Sequence, residues 1–166
     1  CHWEKREQLP TAWNVIWSYC YTRNVIYSNF ICVNLLCRSN PTFANRNVVF
    51  VAIFEGWTDN FIRVEFPVNN FRVRTWNHFC WSYSSSTSRN KFYYNGRIIS
   101  DIGNENTSTP LTIKKNNDIS NYAFIIGQEQ DSVRGDYEAD QAFHGSIAEF
   151  NMWDKVLDDD EITAIG

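Results

Sequence analysis

What most restricts the fold of this chain is a recurring beat of short β-branched and aromatic runs, broken by Asn, Ser, Gly and Pro. "NVIWSYCY", "NFICVNLLC", "NVVFVAIF", "NFIRVEF", "FRVR", "HFCWSYS", "KFYYNG", "RIIS", "AFIIG" and "SIAEFNMW" each have the length and composition of a strand. In "FIRVEF" the residues Phe61, Arg63 and Glu65 share one face and Ile62, Val64 and Phe66 the other, the period of an extended chain. Asn95-Gly96 stands between two apolar runs. It is a hairpin signal because both residue types tolerate the positive φ that a tight turn between twisted strands demands. Only the end reads as helical. There Asp158, Asp159, Asp160 and Glu161 precede Ile162 to Ile165, and acids suit the free N–H groups of a helix start. With no repeat and no alternation of strand and helix, the expected fold is all-β, an antiparallel two-sheet sandwich with one short C-terminal helix. The charged, poorly patterned start "HWEKREQ" is expected to belong to an N-terminal segment or linker over 1–12, with a single domain over 13–166.

A chain of 166 residues can bury a core, and 43% apolar content excludes disorder. A net charge of −4 gives no basic face for nucleic acid. No apolar run has the length of a membrane span, so membrane insertion is not expected. Neither a start Met nor a signal peptide is visible, and the chain is expected to be a mature or excised piece. Cys1, Cys20, Cys32, Cys37 and Cys80 contain no C-x-x-C pair, which disfavours a metal held by thiolates. They read either as buried free thiols of a cytosolic protein or as disulfide partners of a secreted one. Asn106-Thr107-Ser108 has the pattern of a glycosylation acceptor. His78 reads as a core or turn histidine, and Trp76, Trp81 and Trp153 as core aromatics.

The chemistry concentrates in "GQEQDSVRGDYEADQ". Five acids, Glu129, Asp131, Asp136, Glu138 and Asp140, fall in fifteen residues beside a single Arg. "FIIG" runs into Glu129 as a buried strand. Glu129 and Asp131, two apart in an extended chain, place their carboxylates on the same side at roughly 7 Å. Carboxylates so close repel unless a cation lies between them. Calcium takes oxygen ligands, and the segment offers oxygen and almost nothing softer. Composition by itself favours a solvated acidic loop. A glycan hydrolase needs an acid and a base facing one sugar. Sandwich glycosidases resemble E-x-D-x-E or E-x-D-x-x-E on one strand, and here Val133 and Arg134 stand where the last Glu belongs.

"IIGQEQDSVRGDYEADQAFHGSIAEFNMWDKVLDDDEI" and "WNHFCWSYSSS", with His78, Cys80 and Ser82, closely resemble the pentraxin family. "SNFICVNLLC" is similar to the family strand that supplies a partner cysteine. The resemblance implies a flattened jelly-roll of the concanavalin and laminin-G type, secreted or at the cell surface, glycosylated, active in immunity and not an enzyme. It implies one or two Ca²⁺ ions that hold an anionic small molecule or glycan, such as phosphocholine or polysaccharide, and assembly into a pentamer. Carried over by position, the calcium ligands are the side chains of Glu129, Asp131, Glu138 and Gln141 and the backbone carbonyl of Gln130. A further ligand is Asn47, with Asn60 of Asp59-Asn60 as the alternative placement. Arg46 then stands where an acid often stands and weakens the first calcium site. Asp136 and Asp140 are left as solvated acids. The resemblance pairs Cys32 with Cys80, and a further bridge between Cys20 and Cys37 is conceivable. Arg134 occupies a family Gly position, which suits it only if that residue does not need φ > 0. The family continues for some strands beyond the helix, so the domain is expected to be incomplete or divergent.

Overall fold

The computed structural model describes residues 1–9, 14–24, 29–37, 39–40, 47–48, 66–67, 71–84, 86–87, 89–102, 122–130 and 132–166. In chain order the strands are β1 (His2–Lys5), β2 (Asn14–Asn24), β3 (Asn29–Cys37), β4 (Ser39–Asn40), β5 (Asn47–Val48), β6 (Phe66–Pro67), β7 (Asn77–Ser84), β8 (Arg89–Tyr94), β9 (Arg97–Ile102), β10 (Tyr122–Ile126) and β11 (Ser146–Ala148), followed by helix α1 (Asp159–Ile165). All described strand pairs are antiparallel. The fold is therefore all-β with one short C-terminal helix, as the sequence patterning implies. The chain divides into two units, one of Cys1–Gln8, Asn69–Ile113 and Gly145–Gly166, the other of Leu9–Val68 and Lys114–His144.

The first unit is a five-stranded sheet in the order β11-β1-β7-β8-β9. Its β8–β9 hairpin turns at Asn95-Gly96, with φ of 49° and 72°, the left-handed pair that this dipeptide accommodates. Asn95 also ties the turn to β7: its side-chain Oδ1 accepts from the His78 backbone N–H (2.7 Å), and its own N–H donates to His78 O (2.8 Å). The helix packs on the face that carries Cys80 and Tyr93, burying Ile162 against them together with Leu157 from the segment before it. Asp158 caps it through a reciprocal capping box with Glu161. Asp159 accepts from Lys91 Nζ (2.7 Å) and from the Tyr93 hydroxyl (2.6 Å), which fixes the first turn over the sheet.

The N-terminal residues are not a linker. They form β1, between β11 and β7, with His2, Glu4 and Arg6 buried and Trp3 and Lys5 on the half-buried face. The alternation that marks a strand is present but inverted, with charge inward. It survives because the charges answer one another. Arg6 Nε and Nη2 reach Glu4 at 3.1 and 3.4 Å, and His2 Nε2 lies 3.4 Å from Glu4 Oε2. Burial would raise the Glu4 carboxyl, but Arg6 and His2 outweigh it and hold it at about 2.

Other expectations change as well. "FRVR" is a turn rather than a strand: Arg74 has φ 62° and donates its N–H to Arg6 O (2.7 Å), while Arg72 N donates to the Tyr94 hydroxyl (3.1 Å). Trp76 is 46% exposed, where Lys5 Nζ lies 5.8 Å from its ring centre, and Trp153 is 39% exposed. A surface cation thus takes the place of core packing for Trp76. His78 is buried, as a core histidine should be. Most of "NVVFVAIF" and "NFIRVEF" lies outside the described residues.

Cys80 is bonded to Cys1, not to Cys32. The register explains the choice: Trp3 is opposite His78 and His2 opposite Phe79, so the antiparallel ladder carries Cys1 to Cys80. On the chain-entropy account, closing a loop across 79 residues stabilises by about 4.5 kcal/mol. Cys20–Cys37 pairing is also displaced, since Cys37 stands opposite Asn14 and the residue across from Cys20 is Cys32. Cys20 itself is disulfide-bonded.

The buried Glu4 sets the acid response. Its contribution is fully present above its ordinary value of 4.5 and is lost as pH falls from there to about 2. Replacing Glu4 by Gln should flatten that part of the stability–pH curve in chemical denaturation. At neutral pH it should lower stability by about 3 kcal/mol, because Arg6 loses its buried counter-charge.

Candidate functional site

The oxygen-rich segment lies in the second unit, which pairs β10 with β2 and β2 with β3. β10 ends at Ile126, opposite Trp17, and Gly127 then leaves the sheet with φ 80°. Gly127 N donates to Ile16 O (2.8 Å), and Gly127 O accepts from Phe143 N (2.9 Å). Both ends of the acidic segment are therefore tied to one residue. The loop starts from a fixed base.

Ser18 sets the next contact. Fully buried in β2, its hydroxyl donates to Gln128 O (2.8 Å) and accepts from Gln130 Nε2 (2.9 Å). Gln130 is itself 1% exposed. Its amide nitrogen also lies 3.3 Å from Ser18 O and 3.4 Å from Ala123 O, while its Oε1 accepts from Arg134 N (2.9 Å). The side chain points into the protein, which frees this residue to offer only its backbone carbonyl to a ligand. That carbonyl lies 3.5 Å from Cys20 Sγ. Sequence reasoning did not single out Ser18. Its signal was available, since Ser18 is the one aliphatic hydroxyl inside the aromatic run "NVIWSYCY".

Beyond Gln130 the chain makes a tight turn. Ser132 and Gly135 bridge, with Gly135 N donating to Ser132 O (3.2 Å). A Cβ on Gly135 would stand 2.7 Å from Ser132 Oγ, so a side chain there would require the Ser132 hydroxyl to turn away. Arg134 adopts φ 64° and Asp136 φ 54°. The condition stated for Arg134 thus fails: it does sit in the left-handed region, and the hydrogen bond from its N–H to Gln130 holds it there.

A 3-10 turn over Ala139–Gln141 follows, and it brings Gln141 Nε2 onto Glu138 Oε2. Gln128 Nε2 reaches Glu138 O at 2.9 Å, so the start and the return of the loop are linked directly. Of the sequence-expected ligands, the structure brings Glu138 and Gln141 together and fixes Gln130 against Ser18 and Arg134. Glu129 is half-buried with its Oε2 shielded from solvent. Asp131 and Asn106 lie outside the described residues, as do Arg46, Asp59 and Asn60. Asn47 opens β5, opposite Asn40 and Pro67, with no description of its side chain. Asp136 and Asp140 are exposed.

The donor chemistry fits a hard cation. Glu129, Glu138, Gln141 and the Gln130 carbonyl are all oxygen donors. A flip of the Gln141 amide turns the N–H beside Glu138 into a second oxygen.

The strand before the loop is less buried than expected, since β10 buries Ala123 but leaves Tyr122 and Ile126 exposed. An antiparallel β fold with an oxygen-rich loop anchored at the end of a strand has the build of a ligand-binding sandwich. The pentaxin family model matches residues 44–166, and the chain belongs to that family. Over 92 residues, 55% of this chain and 20% of the relative, it is 36% identical to the pentraxin fusion protein of Xenopus laevis. Over 88 residues, 53% of this chain and 34% of the relative, it is 36% identical to serum amyloid P-component of Mesocricetus auratus. The chain thus matches about a third or less of the length of these relatives. The fold is similar to that of the heptameric SAP-like pentraxin of Limulus polyphemus, with a TM-score of 0.63 at 17% identity, over 99% of this chain and 67% of the other.

Two substitutions test the loop. Ser18→Ala leaves the Gln130 amide and the Gln128 carbonyl without their shared partner. It should lower stability by about 1–3 kcal/mol and speed proteolysis between Gly127 and Phe143. Arg134→Gly should raise the thermal midpoint, by relieving about 1 kcal/mol of left-handed strain.

Proposed function

We propose that this chain is a calcium-dependent recognition module of pentraxin type and not an enzyme. In this reading Glu129, Asp131, Glu138 and Gln141 bind one or two Ca²⁺ ions through side-chain oxygens, Gln130 binds through its backbone carbonyl, and Asn47 completes the set. The cations supply the positive charge that an acidic loop lacks, so an anionic small molecule or glycan, phosphocholine or a polysaccharide among them, binds through them. The observation that carries the reading is the loop itself. Gln130 is turned inward onto Ser18 while Glu138 and Gln141 are held side by side on the return. An acidic loop with no ligand to hold gains nothing from crowding its carboxylates, and it repels itself until a cation enters. The module acts outside the cell, and among the described residues no helix is long and apolar enough to cross a membrane. Homo-oligomer formation belongs to the same proposal: one structural relative is described as heptameric, and the family resemblance implies a pentamer.

Titration calorimetry with Ca²⁺ should show binding below millimolar, and Glu138→Ala should weaken it at least about 10-fold. The same variant should expose the segment from Ser132 to Tyr137 to protease. Phosphocholine or polysaccharide should bind only while Ca²⁺ is present. A chain that binds neither Ca²⁺ nor ligand sinks the reading. Retention of Ca²⁺ with no anionic ligand bound would leave the cation a purely structural part of the loop.

A further inference from the structure

The family signature His78-x-Cys80 and the partner Cys1 have a second chemical capacity in the first unit. His78 and Cys80 are two apart on β7, so their side chains share a face, and β1 sets Cys1 across from Cys80 on that face. One ring nitrogen of His78 and the Sγ atoms of Cys1 and Cys80 all lie within 4.8 Å of one another. A tetrahedral zinc ion, with Zn–S about 2.3 Å and Zn–N about 2.0 Å, needs its ligand atoms roughly 3.8 Å apart, which falls inside that envelope.

A second observation points to a ligand. His78 is 2% exposed, yet its Nδ1 is buried with no hydrogen-bond partner among the described residues. A buried ring nitrogen is ordinarily satisfied, and this unsatisfied one belongs to the imidazole that neighbours the two sulfurs. We propose that reduction of the Cys1–Cys80 disulfide converts this cluster into a zinc site of two thiolates and one imidazole. The bond is an S–S single bond. Two electrons and two protons from a reductant turn it into two thiols, and Zn²⁺ then displaces both protons to solvent. The resulting Cys₂His–Zn unit is neutral, which suits a site walled by Tyr93, Leu157 and Ile162. Cys1 is half-buried rather than sealed and opens the fourth position to water. The absence of a C-x-x-C pair in the sequence hid this arrangement, because the third ligand comes from a neighbouring strand.

Cobalt is the probe. The folded chain is reduced with a water-soluble phosphine, which takes the oxygen of water and becomes its oxide, so no competing thiol is added. Co²⁺ is then titrated in saturating Ca²⁺, which occupies oxygen sites and leaves sulfur free. The expected result is one equivalent with a thiolate-to-cobalt charge-transfer band, displaced by Zn²⁺ and absent from the unreduced chain. His78→Gln should weaken Co²⁺ at least about 10-fold, and Cys1→Ser should abolish the band. The combined Cys20→Ser, Cys32→Ser and Cys37→Ser variant should keep it. X-ray absorption on the reduced native chain with Zn²⁺ should find two sulfurs and one imidazole nitrogen, which needs no variant to fold. A reduced chain without the band, an unchanged affinity in His78→Gln, or a band that follows Cys20, Cys32 and Cys37 would overturn the proposal.

Discussion

The first unit depends on a neutralisation inside the sheet. β1 presents His2 and Glu4 inward, with Arg6 buried just after it, so the strand belongs between β11 and β7 only while the three groups satisfy one another. Buried charges are a poor source of net stability and a strong source of specificity of register. A one-residue slip of β1 would move Glu4 and Arg6 to the half-buried face and drive Trp3 and Lys5 inward. It would also carry Cys1 away from Cys80. The ion cluster therefore positions the disulfide, and the disulfide holds the cluster in register.

How much of this was legible in the sequence differs by element. The Asn95-Gly96 hairpin was, because two residues alone decide a tight turn and Asn95 needs no distant partner to adopt positive φ. Helix α1 was, because the acids of its first turn and the capping Asp158 are local signals. The strand character of residues 2–5 was not, since its alternation has charge inside, and only Arg6 and His2 make Glu4 tolerable there. Trp76 and Trp153 misled for a related reason. Aromatic content promises burial, but a cation above a ring or a late stretch without sheet partners leaves it exposed. The disulfide partner of Cys80 depended on which strand lies beside β7, a long-range choice that spacing does not carry.

The acidic segment was the most legible part of the candidate site. Its composition marked oxygen donors, and the structure adds what composition cannot. Ser18 on β2 holds the segment by its start, Gln128 clips it to Glu138, and the Gln130 side chain turns away from solvent onto Ser18. Pre-positioning of this kind matters because like charges resist assembly until the cation arrives. An anchored backbone removes part of the ordering cost from the binding event.

The unequal burial of the two sulfurs gives the Cys1–Cys80 bond a direction. Cys80 is 1% exposed beneath Leu157 and Ile162, while Cys1 lies at the partly open margin. Thiol–disulfide exchange proceeds by attack of a thiolate along one sulfur, with the other as leaving group. An incoming thiol therefore meets Cys1 first and releases Cys80 as the thiolate. Departure begins under a helix whose Asp159 is already engaged by Lys91 and Tyr93. The mixed disulfide forms on Cys1, and the family-signature cysteine stays within the core as the thiol that can attack it and close the bond again.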